Sequence, residues 1–195
     1  MAGMTIPALL ASDDFLEIYH RDEDGLRRYE LFDGEVVKRP MTNRVHDAVK
    51  NCVCKALDRH FDLHPGHIAL VETTFRLGPK VVFTPDVAVL EDNSWRAMRS
   101  TFATGAPHIA IEVVSGDRAD RLKFKVDTYL DSGSKAVCCI YPTHQRITVF
   151  MPGRVSEFKG TDNLQLPDLL PGFSMPLAQV FEILHPETPT TSVLI

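Results

Sequence analysis

A membrane-spanning helix requires an apolar run of about 18 residues. The sequence has no such run, so no membrane association is expected. Its first residues lack a positive segment followed by an apolar stretch, which predicts no export signal and a cytoplasmic location. Basic residues are outnumbered, with 21 Lys and Arg against 26 Asp and Glu and a net charge of −5. This balance excludes a protein that coats nucleic acid by bulk attraction, but it is compatible with a local basic groove.

Cysteine is also scarce, and its spacing does not match a metal-binding or redox motif. Neither pair of thiols has Cys-x-x-Cys spacing, and all lie in segments that are typical of an apolar core. We therefore expect reduced, buried thiols. The four residues are Cys52, Cys54, Cys138 and Cys139.

Three histidines, His60, His64 and His67, lie close together in the sequence but do not predict a zinc site. Pro65-Gly66 interrupts the helix between them, so we expect a polar helix end followed by a loop.

The composition indicates one α/β domain over residues 1–195, because the chain is long enough for a sizeable core and 44% of its positions are hydrophobic. We divide it into an N-terminal helical segment at 1–28, a core at 29–184 and a C-terminal tail at 185–195. Hydrophobic periodicity predicts a mixed central β-sheet flanked by helices, with an N-terminal β-hairpin. Asp33-Gly34, between two β-prone runs, marks the turn of that hairpin.

The order of the other elements follows from changes between helical and strand periodicity. A helix begins after the N-cap Asn43 and ends at Pro65-Gly66, and a second helix covers 119–132. Short helices are expected within 13–33 and at 177–184. The predicted strands after the hairpin cover 71–77, 81–90, 109–114, 136–141 and 146–151, and an irregular stretch covers 93–107.

Two carboxylates interrupt runs that are otherwise apolar. Asp86 lies within 81–90 and Glu112 within 109–114, so both are predicted to be buried in strands. A buried carboxylate requires a cation, hydrogen bonds or a raised pKa. If the two strands are neighbours, both side chains point to one spot, where two oxygen donors provide half of a Mg²⁺ or Mn²⁺ site. A pair of structural hydrogen-bond acceptors is the other interpretation, and composition does not decide between them.

Lys125 is the third candidate for a catalytic role. It flanks the apolar stripe of the helix that follows Glu112, so its ammonium could reach the carboxylate pair. There it could orient or deprotonate a water, or offset charge on a phosphate. Lys123 falls between Asp120 and Asp127 and is predicted to form surface ion pairs. Two acids and a lysine on adjacent elements are typical of metal-assisted phosphodiester hydrolysis.

Six short motifs occur in order along nearly the whole chain. They are the hairpin 29–36, His46 in the first long helix, Pro85-Asp86-Val87-Ala88-Val89, Glu112-Val113-Val114-Ser115, Lys125-x-x-x-Tyr129-x-x-x-Gly133 and Leu170-Pro171-Gly172-Phe173. With these motifs the chain resembles the PD-(D/E)XK nuclease superfamily and, more narrowly, the Uma family of restriction-endonuclease-like proteins, which is common in bacterial genomes.

The resemblance implies a restriction-endonuclease-like core in which Asp86 and Glu112 hold Mg²⁺ or Mn²⁺ and Lys125 is the catalytic lysine. In the superfamily that lysine usually lies two residues after the acid, where this chain has Val114, so the resemblance implies that the following helix supplies it. The implied activity is metal-dependent endonucleolytic hydrolysis of DNA. Cutting both strands of a duplex needs two sites, which is compatible with a homodimer.

Four further residues are supporting candidates. His46 either joins its helix to a strand or contacts the scissile phosphate or a bound water. Glu30 and Glu72 lie on the polar sides of their strands and either reach the metal, directly or through water, or are solvated. Tyr129 belongs to the lysine-containing motif of the family.

Basic residues are in excess between positions 93 and 125, although the whole chain is acidic. Two interpretations are open, a groove that follows a phosphate backbone or a solvated loop face. The candidates besides Lys125 are Arg96, Arg99, Arg118, Arg121 and Lys123.

Two other functions are compatible with the sequence. A non-catalytic nucleic-acid-binding or protein-interaction module with the same fold fits the net charge of −5. A hydrolase of a smaller phosphorylated substrate would need no extended basic surface.

Overall fold

Helices and strands alternate along the chain in a computed structural model that describes residues 9–20, 28–98, 102–116 and 119–182. The α-helices described in these ranges are α1 Ser12–His20, α2 Arg44–Leu63, α3 Asp92–Ala97, α4 Ala119–Asp131 and α5 Leu177–Phe181. The strands are β1 Tyr29–Phe32, β2 Glu35–Lys38, β3 His67–Val71, β4 Thr74–Gly78, β5 Val81–Phe83, β6 Val87–Glu91, β7 Phe102–Thr104, β8 Ile109–Val113, β9 Ala136–Tyr141, β10 Arg146–Met151, β11 Arg154–Lys159, β12 Asn163–Gln165 and β13 Ser174–Pro176.

Most strands belong to two sheets. A five-stranded sheet has the order β2-β1-β5-β4-β7, a six-stranded sheet has the order β11-β10-β9-β8-β6-β3, and β12 pairs with β13. Neighbouring strands are antiparallel except for the parallel pairs β4/β7 and β8/β9. This mixed α/β architecture agrees with the fold class that the sequence predicts.

The six-stranded sheet is covered by a helix on each face, as expected. Val53 of α2 and Ile111 of β8 belong to the apolar cluster on one face, and Tyr129 of α4 and Ala110 of β8 belong to the cluster on the other. Because side chains alternate along a strand, Glu112 lies on the same face as Ala110 and points toward α4.

The hairpin and the first long helix have the local structure that their sequences predict. Asp33 and Gly34 both have positive φ, 46° and 88°, which the tight turn between β1 and β2 requires. The Asn43 side chain caps α2 by accepting from the backbone N–H of His46 at 3.0 Å, and α2 ends at Leu63.

The single strand predicted over 81–90 is wrong, because this segment forms β5 and β6 in two different sheets. Pro85 lacks a backbone N–H and restricts Thr84, so the ladder of hydrogen bonds is interrupted there. Asp86 therefore lies in the link between two strands and not within one.

The segment 71–77 is also two strands, because the chain bends at Glu72, whose φ is 48°. The backbone N–H of Glu72 donates to the backbone oxygen of Asp86 at 3.2 Å. The two segments therefore cross from one sheet to the other at the same place, and that place adjoins the candidate site.

Other differences lie at the edges of the fold. The stretch predicted to be irregular contains α3 and β7, and β11, β12 and β13 were not predicted. Cys138 and Cys139 are buried as expected, whereas Cys52 and Cys54 are half-buried, and all four are free thiols. The expectations for 21–27 and for the tail at 185–195 lie outside the described residues.

None of the helices in the described ranges combines the length and the apolar character that a membrane crossing requires.

Candidate active site

A cavity of about 280 Å³, here called the central cavity, opens where the hairpin, α2, β8 and α4 meet. The elements around it are distant in sequence, so only the folded chain brings their ionisable side chains together. Those side chains are Glu30, Lys38, Arg39, His46, Asp86, Glu112, Arg121 and Lys125.

Asp86 is held by three hydrogen-bond donors. Its Oδ2 accepts from the backbone N–H of Val113 at 2.7 Å and lies 3.1 Å from His46 Nε2. Its Oδ1 accepts from Arg39 Nη2 at 3.2 Å. Burial alone would raise the pKa of Asp86, but His46, Arg39 and the Val113 hydrogen bond lower it below its ordinary value. Asp86 is therefore a fixed, ionised carboxylate.

Glu112 has the opposite electrostatic behaviour. Its Oε1 lies 2.7 Å from Lys125 Nζ and accepts from the hydroxyl of Tyr129 at 3.1 Å. Burial raises the pKa of Glu112, Lys125 lowers it, and the charges of Asp86 and Glu30 raise it again, to about 7. The two candidate ligands thus differ in proton affinity although they line the same cavity.

Lys125 bridges two carboxylates, because its Nζ also lies 3.0 Å from Glu30 Oε1. The same Glu30 oxygen accepts from the backbone N–H of Thr84 at 2.8 Å. Burial lowers the pKa of Lys125, but the charges of Glu112 and Glu30 raise it by more than burial lowers it. The pKa of Lys125 therefore lies above its ordinary value. At neutral pH the amine is a cation, which suits it to offset negative charge or orient a water and does not suit it to accept a proton.

Arg39 is the residue at this site that sequence reasoning missed. It follows β2, donates to Asp86, and has its Nε 4.0 Å from Glu30 Oε1. Burial lowers the pKa of Arg39, but Glu30 and Asp86 raise it above its ordinary value. A signal was present, since Glu30 pairs with Val37 across the hairpin and Arg39 lies two residues further on the same face.

The supporting candidates have different surroundings. His46 joins α2 to the link between β5 and β6 and has a raised pKa, because its bond to Asp86 outweighs the lowering effect of burial. Tyr129 is fully buried, and its hydroxyl donates a hydrogen bond to Glu112. Glu72 is not among the residues that line the central cavity, and it forms an ion pair with Lys50 at 2.6 Å.

The predicted basic residues are dispersed. Arg121 lines the central cavity, whereas Lys123 is exposed and forms an ion pair with Asp127. Arg96 lies on α3 and is not among the residues that line the cavity. Arg99 and Arg118 lie outside the described residues.

The donor set suits a hard divalent cation bound by few protein ligands. Within the described parts of the chain, no group of three or more His, Cys, Asp or Glu side chains is arranged to hold a metal ion. Mg²⁺ is commonly held by one or two carboxylates, with waters and substrate phosphates as its other ligands, and Asp86 and Glu112 fit that pattern.

A solved structure shares the mixed α/β fold of this chain. That structure, with a TM-score of 0.72, is a crystal structure described as "a putative nuclease belonging to DUF820" from Anabaena variabilis ATCC 29413. The sequences are 17% identical, and the similarity covers 79% of this chain and 89% of that chain. A sequence model of the Uma2 family, described as "Putative restriction endonuclease", matches residues 12–178, and the chain belongs to this family.

No curated protein matches the chain. The family match confirms the resemblance that the six motifs indicate.

Proposed function

We propose that this protein is a metal-dependent endonuclease that hydrolyses phosphodiester bonds of DNA. The observation that carries the proposal is that Asp86, Glu112 and Lys125, from three separate elements, line one cavity. Membership of the Uma2 family supports the same chemistry.

Asp86 and Glu112 are the proposed ligands of Mg²⁺ or Mn²⁺. A divalent ion bound between them would polarise the phosphodiester and lower the pKa of an attacking water. The chain contributes by fixing both carboxylates before binding, Asp86 through Val113 and His46, and Glu112 through Tyr129. Such preorganisation limits the reorganisation that the reaction requires.

Lys125 is proposed to act as a fixed cation. Its ammonium is positioned by Glu112 and Glu30, both within 3.0 Å, and its side chain is buried. It would offset the negative charge that develops on the phosphate and orient the attacking water by donating a hydrogen bond. Cutting both strands of a duplex needs two such sites, so a homodimer is part of this proposal. A cytoplasmic location is proposed separately.

Plasmid cleavage tests the proposal. Supercoiled plasmid is incubated with the wild type, Asp86→Asn, Lys125→Met and the matched surface control Glu157→Gln, each with Mg²⁺, Mn²⁺ or EDTA. We expect metal-dependent nicking by the wild type and the control, and a loss of about a hundredfold in the other two variants. Circular dichroism of each variant establishes that it is folded. Equal cutting by all four proteins would identify a contaminating nuclease and contradict the proposal.

A non-catalytic nucleic-acid-binding module is the second candidate, and one observation favours it. The carboxylates already have protein cations, Arg39 at Asp86 and Lys125 at both Glu112 and Glu30. A site whose charges are compensated internally does not require a metal. Calorimetric titration with Mn²⁺ separates the two functions, because binding that depends on Asp86 supports the endonuclease. Retained DNA binding without metal binding supports the module.

A further inference from the structure

The two proposed metal ligands differ in which of their carboxylate oxygens already have partners. In Asp86, Oδ2 accepts from the backbone N–H of Val113 at 2.7 Å and lies 3.1 Å from His46 Nε2. The other oxygen, Oδ1, accepts from Arg39 Nη2 at 3.2 Å. A metal ion that binds Asp86 through Oδ1 therefore meets a guanidinium on the same atom.

Glu112 does not present this conflict. Within the described residues, its contacts are made by Oε1, which lies 2.7 Å from Lys125 Nζ and accepts from the hydroxyl of Tyr129 at 3.1 Å. This arrangement leaves Oε2 for a metal ion while both contacts are kept. Competition between a metal ion and a protein cation is thus expected at Asp86 and not at Glu112.

The two buried cations of the site are held differently by its carboxylates. Lys125 has short contacts, 2.7 Å to Glu112 and 3.0 Å to Glu30. Arg39 has longer ones, 3.2 Å to Asp86 and 4.0 Å to Glu30. Hydrogen bonds between charged groups are strongest when they are short. The carboxylates of the site therefore hold Arg39 less tightly than Lys125.

Arg39 also has space beside it. Its side chain lines both the central cavity and a second cavity of about 400 Å³. Glu72 lines the second cavity, and its negative charge contributes to the raised pKa of Arg39. A guanidinium that leaves Asp86 therefore still has a polar environment that contains a carboxylate.

We propose that Arg39 is an internal counterion of Asp86 that a divalent ion must displace, and that it thereby lowers the affinity of the site for Mg²⁺ or Mn²⁺. The physical reason is that two cations on one buried carboxylate oxygen repel each other. Until an ion binds, Arg39 offsets a buried charge that would otherwise destabilise the fold. Arg39 thus sets the concentration at which the site takes up its metal ion. The inference rests on the proposed function, because it takes Asp86 as a metal ligand, but it concerns affinity for the ion and not hydrolysis.

Calorimetric titration with Mn²⁺ tests the proposal in the wild type, Arg39→Gln and Lys38→Gln. The titration is done at pH 8, above the pKa of Glu112 of about 7, so that this ligand is deprotonated. Lys38 is the matched control, because it also places a positive charge on the wall of the central cavity but is exposed at the end of β2.

We expect Arg39→Gln to bind Mn²⁺ about tenfold more tightly than the wild type, within the range by which residues around metal ligands change metal affinity. Lys38→Gln should change the affinity by less than about twofold, because water and salt screen an exposed charge.

Two further variants make the test specific. Arg39→Lys keeps a positive charge but loses the planar guanidinium, so we expect a smaller gain of about threefold. It provides the test if circular dichroism shows that Arg39→Gln is not folded. The double variant Arg39→Gln/Asp86→Asn should bind Mn²⁺ more weakly than the wild type, because the gain arises at Asp86.

The inference is overturned if Arg39→Gln and the wild type bind Mn²⁺ equally well, if Lys38→Gln gives an equal gain, or if the double variant keeps the gain. Its failure is distinguishable from that of the endonuclease proposal. Binding of Mn²⁺ that depends on Asp86 but does not respond to Arg39→Gln removes only the inference. Tighter binding by Arg39→Gln without plasmid cleavage by the wild type removes only the endonuclease, and no Mn²⁺ binding by any variant removes both.

Discussion

Lys125 lies 2.7 Å from Glu112 and 3.0 Å from Glu30, so one buried cation joins carboxylates from two different sheets. The side chains of Lys125 and Glu112 are only 8% and 6% exposed, which leaves little water to stabilise either charge alone. The stability of the site therefore depends on the pairing of these groups.

Removal of the cation should destabilise the folded chain. We expect Lys125→Met to lower the free energy of unfolding by about 3–5 kcal/mol at pH 8, because two buried carboxylates lose their partner. Urea unfolding measures this change. The double variant Lys125→Met/Glu112→Gln should recover part of the loss, since it removes one uncompensated charge. A single variant as stable as the wild type at pH 8 would show that the ion pair does not stabilise the fold.

The stability of the wild type relative to Glu112→Gln should depend on pH. In the folded state the pKa of Glu112 is about 7, against an ordinary value of 4.5. A raised pKa means that the folded state binds the proton more tightly, so this contribution is present below pH 4.5 and is lost as pH rises to 7. We expect the free energy of unfolding of the wild type, relative to that of Glu112→Gln, to fall by about 3 kcal/mol as pH rises from 4.5 to 7.

Urea unfolding of both proteins at pH 5, 6, 7 and 8 tests this expectation. A difference that stays constant with pH would mean that Glu112 has the same pKa in the folded and unfolded states.

Tyr129→Phe tests the orientation of Glu112. The variant keeps the buried ring but removes the hydroxyl that donates to Glu112 Oε1 at 3.1 Å. We expect a loss of about 1.5–3 kcal/mol in the free energy of unfolding, as for a hydrogen bond to a charged group. Mn²⁺ affinity, measured by calorimetry, should also fall, because the carboxylate is less well positioned. Unchanged stability and affinity would assign Tyr129 to packing alone.

Gly34→Ala tests the turn that places Glu30 and Arg39. Gly34 has φ +88°, and a Cβ there would lie 3.1 Å from the backbone oxygen of Leu10. Gly153, with φ +72° and open space around its Cβ position, is the matched control. We expect Gly34→Ala to cost about 1–2 kcal/mol more than Gly153→Ala in thermal unfolding, because only Gly34 adds a steric clash to the backbone strain. Equal costs would show that the loop at Leu10 adjusts freely.

Local sequence signals predicted those features that depend on neighbouring residues. The Asn43 cap and the Asp33-Gly34 turn are examples, because each is defined within a few residues. The break at Thr84-Pro85 was missed, since the run of apolar residues continues through it and only pairing with two different sheets separates the strands. For the same reason the sequence placed Asp86 inside a strand.

Prediction of the candidate site from the sequence required relations between residues that are distant along the chain. Asp86 and Glu112 were identified because isolated carboxylates in apolar runs are conspicuous. Arg39 was not, because an arginine after an edge strand is ordinary until the hairpin places it beside Glu30 and Asp86. Its partner Glu30 is 9 positions away and within reach of the hairpin register, whereas Asp86 is 47 positions away, beyond the reach of any local pattern.

The most direct measurement of the central claim is the anomalous scattering of Mn²⁺ in a crystal of this protein. The account predicts one strong peak in the central cavity, within coordination distance of both Asp86 and Glu112, that is lost in Asp86→Asn. No peak there, or a peak bound elsewhere while the carboxylates keep their contacts with Arg39 and Lys125, would contradict it.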